Sequence, residues 1–124
     1  MNKTSSLLIL AAAFATPAFA DCTYPKAPGT VPDGNTAKLE EMVAANKAVK
    51  AYNVEIESYL ACIQKEHDDK MAQGGDSLSE DQKKQMAVML SQKNNAAVDE
   101  LQAVAAKVNE QIRIYKAKNP SPAK

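Results

Sequence analysis

Two cysteines, Cys22 and Cys62, carry the most predictable chemistry of this 124-residue chain. An even pair of thiols in an oxidising compartment most simply forms one intramolecular disulfide. Two free thiols or an intermolecular bridge are the alternatives. The pair therefore predicts a covalent link between the N-terminal region and the middle of the chain.

The single histidine, His67, stands in the acidic segment Glu66-His67-Asp68-Asp69. One imidazole, with carboxylates on different sides of a helix, makes a poor zinc or iron site, because such sites need several converging ligands. A solvated charge cluster is the interpretation that this segment favours. We expect no metal here.

Met86 and Met89, three residues apart, are the other candidate ligands, since two thioethers at that spacing could hold copper(I). The same spacing places both on the predicted apolar stripe, so core packing is favoured. No serine has an obvious histidine and acid partner, and Gly74-Gly75 is interpreted as a helix stop rather than a phosphate loop. The sequence predicts no catalytic residue, no cofactor and no enzyme activity.

The first twenty residues indicate the compartment. Lys3 is followed by an apolar run at 7–15, and Ala18 and Ala20 occupy the −3 and −1 positions of a cleavage site. This pattern is typical of a bacterial secretory signal peptide, 1–20, whose apolar run is too short to span a membrane. Asp21 before Cys22 argues against lipidation. We expect a periplasmic or secreted protein, cleaved after Ala20, with no membrane insertion.

Charge excludes some partners. Without Lys3 the chain carries 14 basic against 15 acidic residues, so nothing favours binding to nucleic acid.

The rest of the chain divides into an arm, two helices and a tail. Three prolines make residues 21–36 an extended arm, which ends in the turn Pro32-Asp33-Gly34-Asn35, where Gly34 permits a positive φ. Apolar residues recurring every seven and every three or four residues predict a helix over about 37–71 and another over about 80–118. A loop at 73–78 joins them, and 119–124 is a disordered tail.

These elements predict an all-α fold, a long antiparallel two-helix hairpin resembling a coiled coil. With the loop centred near Gly75, Ile63 faces Met89, Tyr52 faces Val98, and Met42 faces Val108. The arm and the first 25 residues of helix one have matching reach, so the arm is expected to return along helix one to Cys62. Small residues mark the face it would follow: Ala37, Ala44, Ala48, Ala51 and Ser58.

Several motifs resemble those of small secreted proteins of Gram-negative proteobacteria. They are Cys22, Pro32-Asp33-Gly34, Glu41-Met42, Val49-Lys50-x-Tyr52, Tyr59-Leu60-x-Cys62, Asn95-Ala96-Ala97-Val98-Asp99 and Asn109-Glu110-Gln111-Ile112-Arg113. The resemblance implies secretion and helical architecture, and it brings no mechanism. Leu78-Ser79-Glu80-Asp81-Gln82 is similar to the LTxxQ motif of helical periplasmic chaperones and stress sensors. A helix capping box explains the same residues.

The expected function is non-catalytic binding of another envelope protein, as an adaptor, chaperone or inhibitor. Asn95 and Asp99, and Asn109 and Arg113, are each one turn apart and form a candidate partner face, although a solvated helix face is the explanation that the sequence favours. The alternative is a structural protein that self-associates into a coiled-coil dimer. Apolar residues off the main stripe are the candidates for that contact: Val43, Val54, Val88 and Ile114.

Overall fold

A computed structural model describes residues 21–120, which form two long antiparallel helices and an extended N-terminal arm. Helix α1 spans Leu39–Gly74 and helix α2 spans Glu80–Lys118. The all-α hairpin predicted from the sequence is confirmed. The expected signal peptide and the last four residues of the chain lie outside the described residues.

Helix α1 begins two residues later than expected, because a turn precedes it. The amide groups of Thr36 and Ala37 donate to the backbone carbonyl of Asp33 at 3.1 and 2.8 Å. Lys38 is then extended, and its amide donates to the carboxylate of Glu41 at 2.7 Å. The turn thus uses residues that the sequence pattern had assigned to the helix.

The C-terminal end of α1 is also later than expected, at Gly74 rather than near Met71. Gly74 keeps helical angles (φ −72°, ψ −35°), and Gly75 leaves the helix with a φ of +44°. Side chains are strained at that φ, so glycine is the residue that ends a helix this way at least cost. The connection is shorter than the predicted loop 73–78 and consists of a 3-10 turn at Gly75–Ser77 and two extended residues.

Helix α2 occupies the predicted range and has the predicted capping box. The Ser79 hydroxyl accepts from the amide of Gln82 at 3.2 Å, and the Ser79 amide donates to the Gln82 side chain at 2.8 Å. These two bonds satisfy donors that the first turn of a helix leaves without partners.

One narrow seam between the helices forms the core. Tyr52, Ile56, Tyr59 and Ile63 of α1 surround Ala97 of α2, which is completely buried. Further along, Met42 and Val108 are buried at the end of the hairpin away from the loop. Of the residues expected to face each other, Met42 and Val108 are both buried, and Tyr52 packs in the cluster around Ala97, the residue before Val98. The position expected to face Ile63 differs. Met89 is 56% exposed, and Leu90 packs against the core cluster in its place.

The arm is tied to α1 by a disulfide between Cys22 and Cys62, whose Cα atoms are 5.7 Å apart. Its course differs from the prediction that it follows α1 alone, because residues of both helices contact it. Tyr24 stacks edge-on against Tyr59 of α1, with ring centroids 5.0 Å apart, and Gly34 binds Gln111 of α2. The arm therefore lies in the groove between the helices.

The small-residue face of α1 explains only part of this path. Ala44, Ala45 and Ala48 line the space beneath Pro28 and Pro32 together with Val108 of α2. The other small residues of that predicted face, Ala37, Ala51 and Ser58, do not line this space. An arm that covers the groove shields apolar surface of both helices, which explains why this path is preferred over α1 alone.

Candidate functional site

The outer face of α2 carries the four residues proposed from the sequence as a partner face. Asn95, Asp99, Asn109 and Arg113 are all exposed. Asn95 and Arg113 are 18 residues apart, which is five helical turns, so the four side chains share one side of α2 over about 27 Å. Ala97, which is buried against α1, lies on the opposite side. The structure therefore brings the four residues onto one surface that neither α1 nor the arm covers.

Arg113 differs from the other three residues because it has a partner within the helix. Its guanidinium donates to Glu110 from Nε at 3.0 Å and from Nη2 at 2.6 Å. This pairing lowers the pKa of the Glu110 carboxyl below its usual range. Both side chains are largely exposed, so the pair contributes little to stability, but it holds the guanidinium in a defined orientation.

The off-seam apolar residues do not form one patch. Val43 and Val54 of α1 and Val88 of α2 are between 45% and 59% exposed. Ile114, the fourth candidate, is half-buried beneath the arm, since a Cβ on Gly34 would lie 3.0 Å from its Cβ. Ile114 therefore offers less free surface for a second contact than the three valines, because the arm covers part of it.

The charged side chains around His67 are mostly exposed to solvent, as expected, whereas His67 itself is not. Lys65 and Asp69 form an ion pair at 2.6 Å, as do Lys70 and Glu66 at 2.5 Å. The His67 side chain is only 18% exposed, and its Nδ1 lies 3.3 Å from Asp68 Oδ1. His67 lines a small cleft between the helices.

Met86 and Met89 line the same cleft. Both methionines were expected to pack in the core because both fall on the apolar stripe, but only Met86 is half-buried. The exposure of Met89 corrects that expectation. Spacing alone could not separate Met89 from Leu90, because both fall within the apolar stripe.

Sequence reasoning missed the polar residues that hold the arm. The Tyr24 hydroxyl donates to the Glu100 carboxylate at 2.6 Å, across 76 residues of sequence. Partial burial and this hydrogen bond raise the pKa of Tyr24, and burial together with the charge of Glu100 raises the pKa of Tyr52. The only feature of the sequence that could have indicated this role for Glu100 is its position next to the seam. Its neighbours in the sequence do not distinguish it from the other acidic residues of α2.

Between residues 21 and 120, no group of three histidine, cysteine, aspartate or glutamate side chains is placed to hold an ion. Both cysteines are oxidised. Within the same range no helix is both long and apolar enough to cross a membrane.

Comparison with known proteins adds no relative. No protein-family model matches the chain, and neither the curated proteins nor the solved structures include a match.

Proposed function

We propose that this chain is a non-catalytic protein of the bacterial periplasm that binds another envelope protein as an adaptor, chaperone or inhibitor. The observation that carries the proposal is the uncovered polar face of α2 defined by Asn95, Asp99, Asn109 and Arg113. We call it the α2 face.

The chemistry of the α2 face suits a protein partner. Two carboxamides, one carboxylate and one guanidinium offer donors and acceptors of both charge signs. The face carries no excess of positive charge, which disfavours a nucleic acid or an anionic membrane as the ligand. A rigid helix also presents these groups at fixed spacing, so little backbone entropy is lost on binding.

The periplasmic location is supported by two independent features. The Cys22–Cys62 disulfide is formed, and disulfides persist in oxidising compartments such as the periplasm. The N-terminal sequence has the charge, apolar run and small residues of a secretory signal. Export before cleavage at Ala20 gives a consistent account of both.

Self-association into a coiled-coil dimer is the second candidate, and the exposed apolar residues of α1 favour it. Val43 and Val54 are 45% and 59% exposed. They are eleven residues apart, however, and the exposed Lys47 and Lys50 lie between them. A symmetric dimer through this surface would bring like charges together, which is unfavourable. The α2 face is therefore the better candidate interface.

Site-specific photocrosslinking in cells separates the two candidates. A photoreactive residue at Asn95 or Asn109 is expected to give the same product with a second envelope protein. The matched control is the exposed Gln64 of α1, which points away from the α2 face and should give no such product. Equal products from all three positions, or none from any, would contradict the proposal.

Sedimentation of the purified chain completes the test. A monomer at micromolar concentration is expected. A stable dimer that also crosslinks to itself from position 54 would instead support self-association and would make the α2 face a secondary feature.

A further inference from the structure

The groove that the arm fills continues beyond the end of the arm. The arm reaches Cys62 through the disulfide at Cys22, and the next turns of α1 and the facing turns of α2 enclose a cleft of about 70 Å³. Ile63 and Leu90 form apolar parts of its lining. The proposed protein-binding role does not use this cleft, which lies on a different side of α2 from the α2 face.

Three side chains in the lining have soft or borderline donor atoms. Met86 and Met89 contribute thioether sulfurs from α2, one turn apart on the helix, and His67 contributes an imidazole from α1. Packing alone does not explain Met89, because more than half of its surface is exposed while neighbouring Leu90 occupies the core position.

His67 has the arrangement that a metal-binding histidine usually has. Its Nδ1 lies 3.3 Å from the carboxylate of Asp68, and in the tautomer that donates Nδ1–H to this carboxylate the lone pair is on Nε2. Nε2 is buried and has no hydrogen-bond partner within residues 21–120. A buried polar atom without a partner is uncommon and calls for an explanation, and a bound cation supplies one.

The charged groups around the cleft argue against a hard divalent ion. Glu66 is the only carboxylate in the lining, and it pairs with Lys70 at 2.5 Å. Lys93 adds a second ammonium group to the lining. Calcium, magnesium and zinc need several oxygen, nitrogen or thiolate ligands, whereas thioethers select copper(I).

We infer that this cleft is a binding site for a soft monovalent cation, copper(I), coordinated by the sulfurs of Met86 and Met89 and by Nε2 of His67. Binding forms coordination bonds only, and neither the ion nor the protein changes oxidation state. This inference is independent of the protein-binding role, since it uses none of the residues of the α2 face.

Titration with the ion tests the site directly. The secreted chain, with its disulfide intact, is titrated with copper(I) in competition with a coloured copper(I) chelator under anaerobic conditions, and separately with silver(I), which has no competing redox chemistry. We expect one ion per chain. Replacing both thioethers in Met86→Leu/Met89→Leu should lower the affinity at least tenfold, and Asp68→Asn should lower it by roughly 10- to 100-fold through loss of the histidine orientation.

The matched control is Met71→Leu, which removes a methionine of α1 outside the cleft lining and should leave the affinity unchanged. Leucine conserves the volume of methionine, so these variants are expected to fold. On the unmodified protein, silver(I) should shift the NMR signals of the Met86 and Met89 methyl groups and of His67 Nε2, and leave the Met42 and Met71 methyl groups in place.

Three results would overturn the inference. They are an unchanged affinity in the double leucine variant, silver(I) shifts at all methionines, and zinc binding to the cleft as tight as that of copper(I). A failure of this site would leave the photocrosslinking result at the α2 face unaffected.

Discussion

The backbone amide of Gly34 donates to the side-chain oxygen of Gln111 at 2.8 Å, and this bond fixes the turn end of the arm on α2. Gly34 is buried there. A Cβ at this position would lie 2.2 Å from the backbone oxygen of Gln111 and 2.9 Å from the backbone nitrogen of Tyr115. Both are helix backbone atoms, so α2 cannot yield without disturbing its own hydrogen bonds.

Gly34→Ala is therefore expected to lower the free energy of unfolding by about 1–3 kcal/mol, because the added methyl group forces the arm away from α2. Urea unfolding followed by circular dichroism measures the change. Gly29→Ala is the matched control, since nothing lies within 4 Å of a Cβ there, and it should change stability by less than about 0.5 kcal/mol. Equal stabilities for the two variants would contradict the close approach.

The seam gives a graded test of packing at Ile56, which is 1% exposed between Tyr52 and Tyr59. Ile56→Val should cost about 0.5–1.5 kcal/mol and Ile56→Ala about 2–5 kcal/mol, because each removes buried methyl groups and leaves a cavity. Val54→Ala, two residues away on the exposed side of the same helix, should cost less than about 0.5 kcal/mol. Thermal or urea unfolding of the three variants should reproduce that order, and a large effect at Val54 would place it in an interface.

The features of this fold that could be predicted are those determined by residues close together in the sequence. The helices, the Ser79 capping box and the seam follow from the spacing of apolar residues and from turn chemistry. Both depend on residues that are close together in the sequence. Helix α1 starts two residues after the approximate position expected, because the carbonyl of Asp33 accepts hydrogen bonds from the amides of Thr36 and Ala37, which helix propensity does not predict.

The arm shows where local reasoning stops. The two cysteines predicted the disulfide, but the path between the helices depends on contacts such as Tyr24 with Glu100, which are 76 residues apart. Gly34 was expected to supply a positive φ, whereas the structure requires it for close approach to α2. The candidate α2 face was predicted from helical spacing, while the cleft at His67 arises only when α1 and α2 pack.

Removal of the disulfide should have a large effect on stability. The bond closes a loop of 40 residues, for which the chain-entropy model gives about 4 kcal/mol. The double variant Cys22→Ser/Cys62→Ser is expected to lose that amount in urea unfolding while its helical circular dichroism signal stays near that of the parent chain. The reductant dithiothreitol should destabilise the parent and leave the double variant unchanged. A parent chain indifferent to reductant would show that the arm is held by its packing alone.

Alkaline pH should loosen the arm through its tyrosines. The folded protein raises the pKa of Tyr24, by partial burial and by the hydrogen bond to Glu100, and also raises the pKa of Tyr52. In the unfolded chain both phenols ionise near pH 10, whereas in the folded protein they stay neutral to higher pH. Their contribution to stability is therefore complete below about pH 10, and it is lost as the pH rises from there through the folded-state pKa.

Tyr24→Phe isolates the share of one phenol in that pH dependence. At neutral pH the variant should lose about 0.5–1.5 kcal/mol, the usual worth of one hydrogen bond, because the Glu100 carboxylate loses its donor. Above pH 10 the free energy of unfolding of the parent should decrease toward that of the variant, since only the parent has this phenol to ionise on unfolding. Urea midpoints at neutral pH and at about pH 10.5 measure the difference, with Tyr115→Phe as the control for the loss of a tyrosine elsewhere. A stability gap between parent and Tyr24→Phe that stays constant with pH would show that the Glu100 contact does not hold the phenol neutral.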